Sequence, residues 1–189
     1  ILKNKNSKIL LGPRYSVIQC KSKEISNLDK NIFRIGFYLG GSGNFEKIYE
    51  VVKDLVLKLK SHNKKIQIVI IPGLYSKGLN KIKILSKKNK MIKVLNPSLG
   101  LDKVIASLQL LISSAGTIIY ESAYYKIPSL IFEVSKNQNN EIKYMEKLGH
   151  YFVLPISNIR YSKKISHLIC LMLEKQKRLK RLQINKEIK

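Results

Sequence analysis

At 189 residues, 44% of them hydrophobic, the chain is long enough to bury a core as one domain, yet no run in it is long and apolar enough to cross a membrane. Its two cysteines, Cys20 and Cys170, lie far apart without CxxC spacing, which argues against a disulfide framework or a zinc site and places both in or near the core. The formal net charge of +24 raises nucleic acid or an anionic membrane as a partner, but the lysines lie along every segment with no recognised nucleic-acid motif, so nucleic acid is not expected.

The chain starts at Ile1 rather than Met and has no charged–apolar–small leader, so it is expected to be a piece of a longer, cytoplasmic protein. Residues 1–30 mix Lys, Asn and Ser around the turn Gly12-Pro13 and read as a linker or domain-entry segment, with a short strand possible near Tyr15–Gln19. Phe33, Ile35, Phe37 and Leu39 alternate as on a strand, and Gly40-Gly41-Ser42-Gly43-Asn44 ends it sharply. Phe45, Ile48, Val51, Val52, Leu55 and Leu59 then recur at three and four, the stripe of one helix packed on a sheet. Ile66–Ile71 is a buried strand closed by Pro72-Gly73, and a weaker helix lies between Gly78 and Lys88. Met91–Leu95 is a third strand, and Leu101–Leu108 a short helix with Asp102 in its first turn.

The stretch Gln109–Gly149 repeats the pattern: strand Gln109–Ser113, small-residue turn Ser114–Thr117, helix through Tyr125, strand Ser129–Val134, a polar loop and another helix. Tyr151–Leu154 reads as a last strand, and Ser162–Leu182 as a long helix that turns strongly basic from Lys175. Strands alternating with helices at this spacing specify a parallel sheet covered on both faces. The domain proper is therefore set at 31–160 and the basic C-terminal helix at 161–189. That helix end suits solvent; contact with a membrane surface is possible but not favoured.

Several positions have the chemistry of a ligand site. Gly41 and Ser42 sit in a glycine turn that either bends the chain tightly or lets backbone amides approach a phosphate. It is neither a Walker A loop nor a complete GxGxxG. Ser114, Gly116 and Thr117 repeat the chemistry at the opening of a helix, with simple capping by Ser114 as the other reading. Glu121 follows Thr117 by one turn on the same face, where a carboxylate can accept two hydrogen bonds from a ribose diol, although the residues by themselves favour an ordinary exposed helix glutamate. Asn137 and Gln138 follow the strand Ser129–Val134; amides both donate and accept, as sugar hydroxyls require, although a solvated loop has the same composition. Arg14 and Tyr15 stand at the domain entry. His62, His150 and His167 form no triad and have no metal spacing, so neither metal nor cofactor is expected.

SAGTIIYE, IPSL and NQNNE with a helix ending LGH resemble the nucleotide-sugar signature of GT-B proteins. LLGPRYSVI and YLGGSGN resemble the domain entry and first glycine turn of the PseG/SpsG-like UDP-sugar hydrolases of pseudaminic acid synthesis, which are related to the MurG-type glycosyltransferases of family 28. The resemblance runs to about Pro155 and implies a Rossmann-like, doubly wound parallel sheet of about six strands, the GT-B C-terminal domain. It implies UDP or a UDP-sugar as ligand. Gly41 and Ser42 would lie near the diphosphate or the sugar, Ser114, Gly116 and Thr117 at the phosphates, Glu121 at the ribose, and Asn137 and Gln138 at the sugar, with Asn137 assisting the reaction. Lys136 replaces the acidic residue usual before that pair. In those hydrolases the water-activating histidine belongs to an N-terminal domain, so this half alone is expected to hold a nucleotide without turning it over. A MurG-like transferase, or a non-catalytic scaffold, would share the same sequence features.

Overall fold

The apolar runs form strands and the amphipathic runs between them form helices. The computed structural model describes residues 31–62, 65–97, 100–133, 151–155 and 162–174, with Tyr15 and Ile18. In chain order these comprise β1 (Ile32–Tyr38), α1 (Tyr49–Leu59), β2 (Lys65–Ile71), α2 (Asn80–Lys88), β3 (Ile92–Val94), α3 (Leu101–Ala106), β4 (Leu110–Ser114), α4 (Ile118–Tyr124), β5 (Ser129–Glu133), β6 (Tyr151–Pro155) and α5 (Ser162–Glu174). The six strands form one sheet in the order β3-β2-β1-β4-β5-β6, and each neighbouring pair is parallel. From β1 the chain steps outward through β2 to β3, then returns to β1's other side and steps outward again. That is the Rossmann-like, doubly wound order, as expected from the sequence.

Strand alternation sorts the core into two layers. On one face Phe33, Ile35 and Phe37 of β1 join Ile68 and Ile70 of β2 and Phe132 of β5 beneath α1, α2 and α5. On the other, Val69, Leu111 and Ile131 pack against Ile105 of α3 and Ile118 and Ile119 of α4. Cys170 is half-buried against the first layer, and Cys20 lies outside the described residues.

Two local details differ from the sequence reading. The stripe starting at Phe45 is not one helix: Phe45–Ile48 is a 3₁₀ turn, and α1 begins at Tyr49. Phe45 and Ile48 are three apart, a spacing that both helix types place on one face, so periodicity could not separate them. At the entry segment, Tyr15 lies in a 3₁₀ turn and is 48% exposed, and Ile18 is not in a strand, so the strand suggested there is not formed at these two positions. The helix expected after Val134 and the basic run after Glu174 lie outside the described residues.

A polar clamp fastens α5 to α1. Lys58 Nζ is 2.9 Å from Asp54 Oδ2 and donates to Ser166 Oγ at 2.7 Å and to the Lys163 carbonyl at 3.2 Å. The Ser166 hydroxyl donates to the Asp54 carboxylate. Burial opposes the Asp54 charge, but the hydrogen bonds from Ser166 and Lys58 and the Lys58 and Lys163 charges outweigh it and hold the carboxyl below its usual range. Its contribution to stability is thus present above the ordinary carboxylate pKa and fades as pH falls through the lowered value.

Leu55 is fully buried at the centre of the first layer. Leu55→Ala is expected to cost about 3 kcal/mol through lost transfer energy and the cavity left behind. Urea denaturation should show a lower midpoint at unchanged slope.

Candidate functional site

β1 and β4 run side by side and end together, with Tyr38 level with Ser113. The strand order reverses at this pair, and ligands of open α/β sheets bind in the crevice beyond such a point. Both following turns use left-handed backbone: φ is 82° at Gly40 and 147° at Gly116. The turns touch, since a Cβ added to Gly40 would lie 3.4 Å from Ser114 Oγ. Ser114 is the last residue of β4 and 6% exposed, and its hydroxyl makes no hydrogen bond among the described residues. The backbone N–H groups of Gly41, Ser42, Gly116 and Thr117 likewise have no acceptor among the described residues.

The first turn is held by a loop that sequence reading left as a strand end. Tyr75 N–H donates to the Gly41 carbonyl, Lys77 N–H to the Gly43 carbonyl and Phe45 N–H to the Lys77 carbonyl, each at 2.9 Å. The Gly73 N–H donates to Ser76 Oγ at 2.8 Å, closing that loop on itself. Gly73 packs so closely that a Cβ there would lie 2.5 Å from the Gly41 Cα. Within Gly40-Gly41-Ser42-Gly43-Asn44 the glycines therefore divide. Gly40 needs its left-handed φ, and Gly43 approaches Leu39 to 2.4 Å from an added Cβ. Gly41 needs neither: a Cβ there meets nothing within 4 Å. Asn44 accepts from the Glu46 N–H at 3.0 Å, so the following turn does start at Asn44–Phe45 as expected.

A cavity of about 230 Å³ opens beside this zipped pair of loops. Gly41 and Tyr38 form one wall, Pro72 to Tyr75 another, and Leu95 to Pro97 with Leu101 and Val104 the floor. Its lining is largely apolar with a few polar groups, the character of a small-molecule site. Tyr38, Asn96 and the 72–75 loop were missed from the sequence; the one cue was Pro72-Gly73 placed directly after a buried strand.

Glu121 is half-buried on α4, one turn beyond exposed Thr117. Its carboxylate makes no hydrogen bond or ion pair among the described residues, in a chain of net charge +24. Burial chiefly, and then the charge of Asp102, raise the Glu121 carboxyl above its usual range. Burial chiefly, and then the Glu121 charge, raise the Tyr38 hydroxyl above its usual range. Asp102 itself accepts a hydrogen bond from the Tyr125 hydroxyl across the α3–α4 contact.

Thus Gly41 and Ser42 share one edge of the sheet with Ser114, Gly116, Thr117 and Glu121, at the strand-order reversal. The capping reading of Ser114 does not hold. The residue flanking α4 is Thr117, with no side-chain cap, because Ser114 is still in the strand. Asn137, Gln138, Arg14 and His150 lie outside the described residues. His62 lies at the opposite end of the sheet, between α1 and β2, and His167 is exposed on α5. No group of three metal-ligating side chains occurs among the described residues, and no helix there is long and apolar enough to cross a membrane.

Strand order, paired glycine turns and an acid on the helix after β4 define a Rossmann-like domain of the GT-B C-terminal kind. The chain belongs to the glycosyltransferase family 28 C-terminal domain, whose family model matches residues 37–189. Its fold is similar to that of MurG from Acinetobacter baumannii, at TM-score 0.62 and 16% identity over 85% of this chain and 46% of that one. UDP-GlcNAc 2-epimerase from Neisseria meningitidis, solved bound to UDP-GlcNAc, is similar at TM-score 0.61 and 13% identity over 85% and 41%. The C-terminal CMP-Kdo binding domain of WaaA from Acinetobacter baumannii matches at TM-score 0.57 and 12% identity, over 82% of this chain and 88% of that domain. The chain spans less than half the length of the first two. No curated protein matches it.

The contrast between two glycines is testable. Gly73→Ala forces backbone apart and should cost about 2 kcal/mol, whereas Gly41→Ala should stay within about 0.5 kcal/mol of the parent. Urea unfolding of both variants reads the difference directly.

Proposed function

We propose that this chain is the donor-binding half of a GT-B enzyme that holds UDP or a UDP-sugar, the chemistry being completed by an N-terminal domain. The observation that carries the reading is Glu121, a half-buried carboxylate without a hydrogen-bond or ion-pair partner among the described residues, on the helix that follows β4 at the strand-order reversal. An unpaired buried charge costs folding energy, and a ribose diol donating two hydrogen bonds would relieve that cost. The free amides of Gly41, Ser42, Gly116 and Thr117, with the Ser114 hydroxyl, suit diphosphate oxygens. The largely apolar cavity between Tyr38 and Pro97 suits the flat face of a nucleobase.

Within that class we favour a UDP-sugar hydrolase of nonulosonic acid synthesis, with Asn137 and Gln138 at the sugar and Asn137 assisting cleavage of the sugar–phosphate bond. The support is the order of the quoted motifs in the sequence. A MurG-like transferase is the second reading, favoured by the family 28 match and by the likeness in fold to MurG. A histidine in the first glycine turn of the N-terminal domain would mark the hydrolase; an apolar lipid-facing patch there would mark the transferase.

Calorimetric titration with UDP, CMP and ADP tests the donor site. UDP is expected to bind preferentially, Glu121→Ala to weaken it about tenfold or more, in line with loss of hydrogen bonds to a charged group, and Gly41→Ala to weaken it with the fold intact. A folded protein that binds none of the three would remove the assignment. Because Glu121 must be ionised to accept both hydrogen bonds, its advantage depends on pH. The affinity ratio of parent to Glu121→Gln should approach one as pH falls through the raised Glu121 pKa, earlier than for an ordinary glutamate. The phosphates' own titration affects both proteins and cancels in that ratio.

A further inference from the structure

The charge surplus is not spread as evenly as the sequence suggests. No Asp or Glu occurs between Asp54 and Asp102, and this acid-free stretch builds α2 and the edge strand β3. On α2, Ile82 is buried and Leu85 and Ser86 are half-buried, which fixes the inward face. At 100° per residue the opposite face is centred on Ile84, flanked by Lys81, Lys83, Lys87 and Lys88. Ile84 is 57% exposed, and the four lysines around it are exposed. Lys90 extends the basic surface past the end of α2, whereas Lys93 of β3, the sheet's outermost strand, is level with Val69 and points to the sheet's other face. None of these six lysines has an ion pair among the described residues, and Lys81 lies 5.9 Å over the Tyr49 ring.

We propose that the outward face of α2 is a docking surface for an anionic lipid bilayer, with its lysines on lipid phosphates and Ile84 seated among the glycerol and upper acyl groups. Charge complementarity selects an anionic partner, and Ile84 selects lipid over nucleic acid. A phosphate backbone offers a protruding isoleucine no apolar surface, and the face carries no exposed aromatic on which a base would stack. Neither Ile84 nor these lysines line the cavity at the strand-order reversal.

Flotation of the full chain with phosphatidylcholine vesicles, with and without phosphatidylglycerol, tests the assignment. Binding is expected only with the anionic lipid and should fall as salt is raised. Lys83→Glu/Lys87→Glu should weaken it about thirtyfold or more, given the worth of each lysine near an anionic surface. Ile84→Ser should weaken it about fivefold, while Lys180→Glu/Arg181→Glu changes it less than the α2 pair does. Thermal unfolding of the variants should match the parent, since all of the α2 side chains changed are exposed. The proposal is overturned if the chain ignores anionic vesicles, if binding follows the Lys180/Arg181 pair instead, or if Ile84→Ser has no effect. It is equally overturned if a double-stranded DNA fragment binds more tightly through Lys83 and Lys87 than the vesicles do. UDP titration of the same variants is independent of every one of these outcomes.

Discussion

Parallel pairing obliges every strand of this sheet to finish at the same edge, and the reversal of strand order leaves β1 and β4 adjacent there without a helix crossing between them. That single topological constraint makes the site. Two turns far apart in sequence are brought into contact, Gly40 against Ser114, with their unpaired amides at one rim. A chain cannot cover this rim with its own crossovers, because β1 leaves toward one end of the sheet and β4 toward the other.

What the topology opens, local packing then shapes. The hydrogen bonds between 41–45 and 73–77 fix the first turn as firmly as a short parallel ladder, and the close approach of Gly73 sets its height above the sheet. The second side is set by α3 and α4, where Tyr125 and Asp102 hold one another next to Glu121. An acid beside an acid is an unfavourable arrangement in an empty protein. The two carboxylates are unequal: Asp102 has a hydrogen-bond donor in Tyr125, whereas the Glu121 carboxylate has none among the described residues.

The strands were legible because Phe33, Ile35 and Phe37 alternate and Ile66–Ile71 is continuous, patterns that few other structures accommodate. The two glycine turns were legible as positions, since small and polar residues at strand ends have few structural reasons to be there, whereas Glu121 was legible only through the family resemblance. Their surroundings were not. The 72–77 loop meets the 41–45 turn only through the pairing of β1 with β2, and no local pattern encodes that contact. The 3₁₀ turn at Phe45 was hidden by a spacing common to both helix types, and Ser114 looked like a cap because β4 runs one residue further than its apolar run. The concentration of lysines on α2 and β3 was obscured by their abundance elsewhere; what marked it was the missing acids.

The placement of α5 has a consequence for how the chain reaches this state. One face of the sheet is roofed by α1 and α2, both made early, but it is completed by Ile165, Ile169, Met172 and Leu173 of the last described helix. Until those residues have left the ribosome, the side of Leu55 and Leu59 that α5 covers has no apolar partner, and Asp54 and Lys58 have each other but not Ser166. Among the described residues, the opposite layer draws on nothing beyond Ile131 of β5. Of the described helices only α5 follows the whole sheet, so a nascent chain halted before Ser162 carries both glycine turns while its first layer is still open.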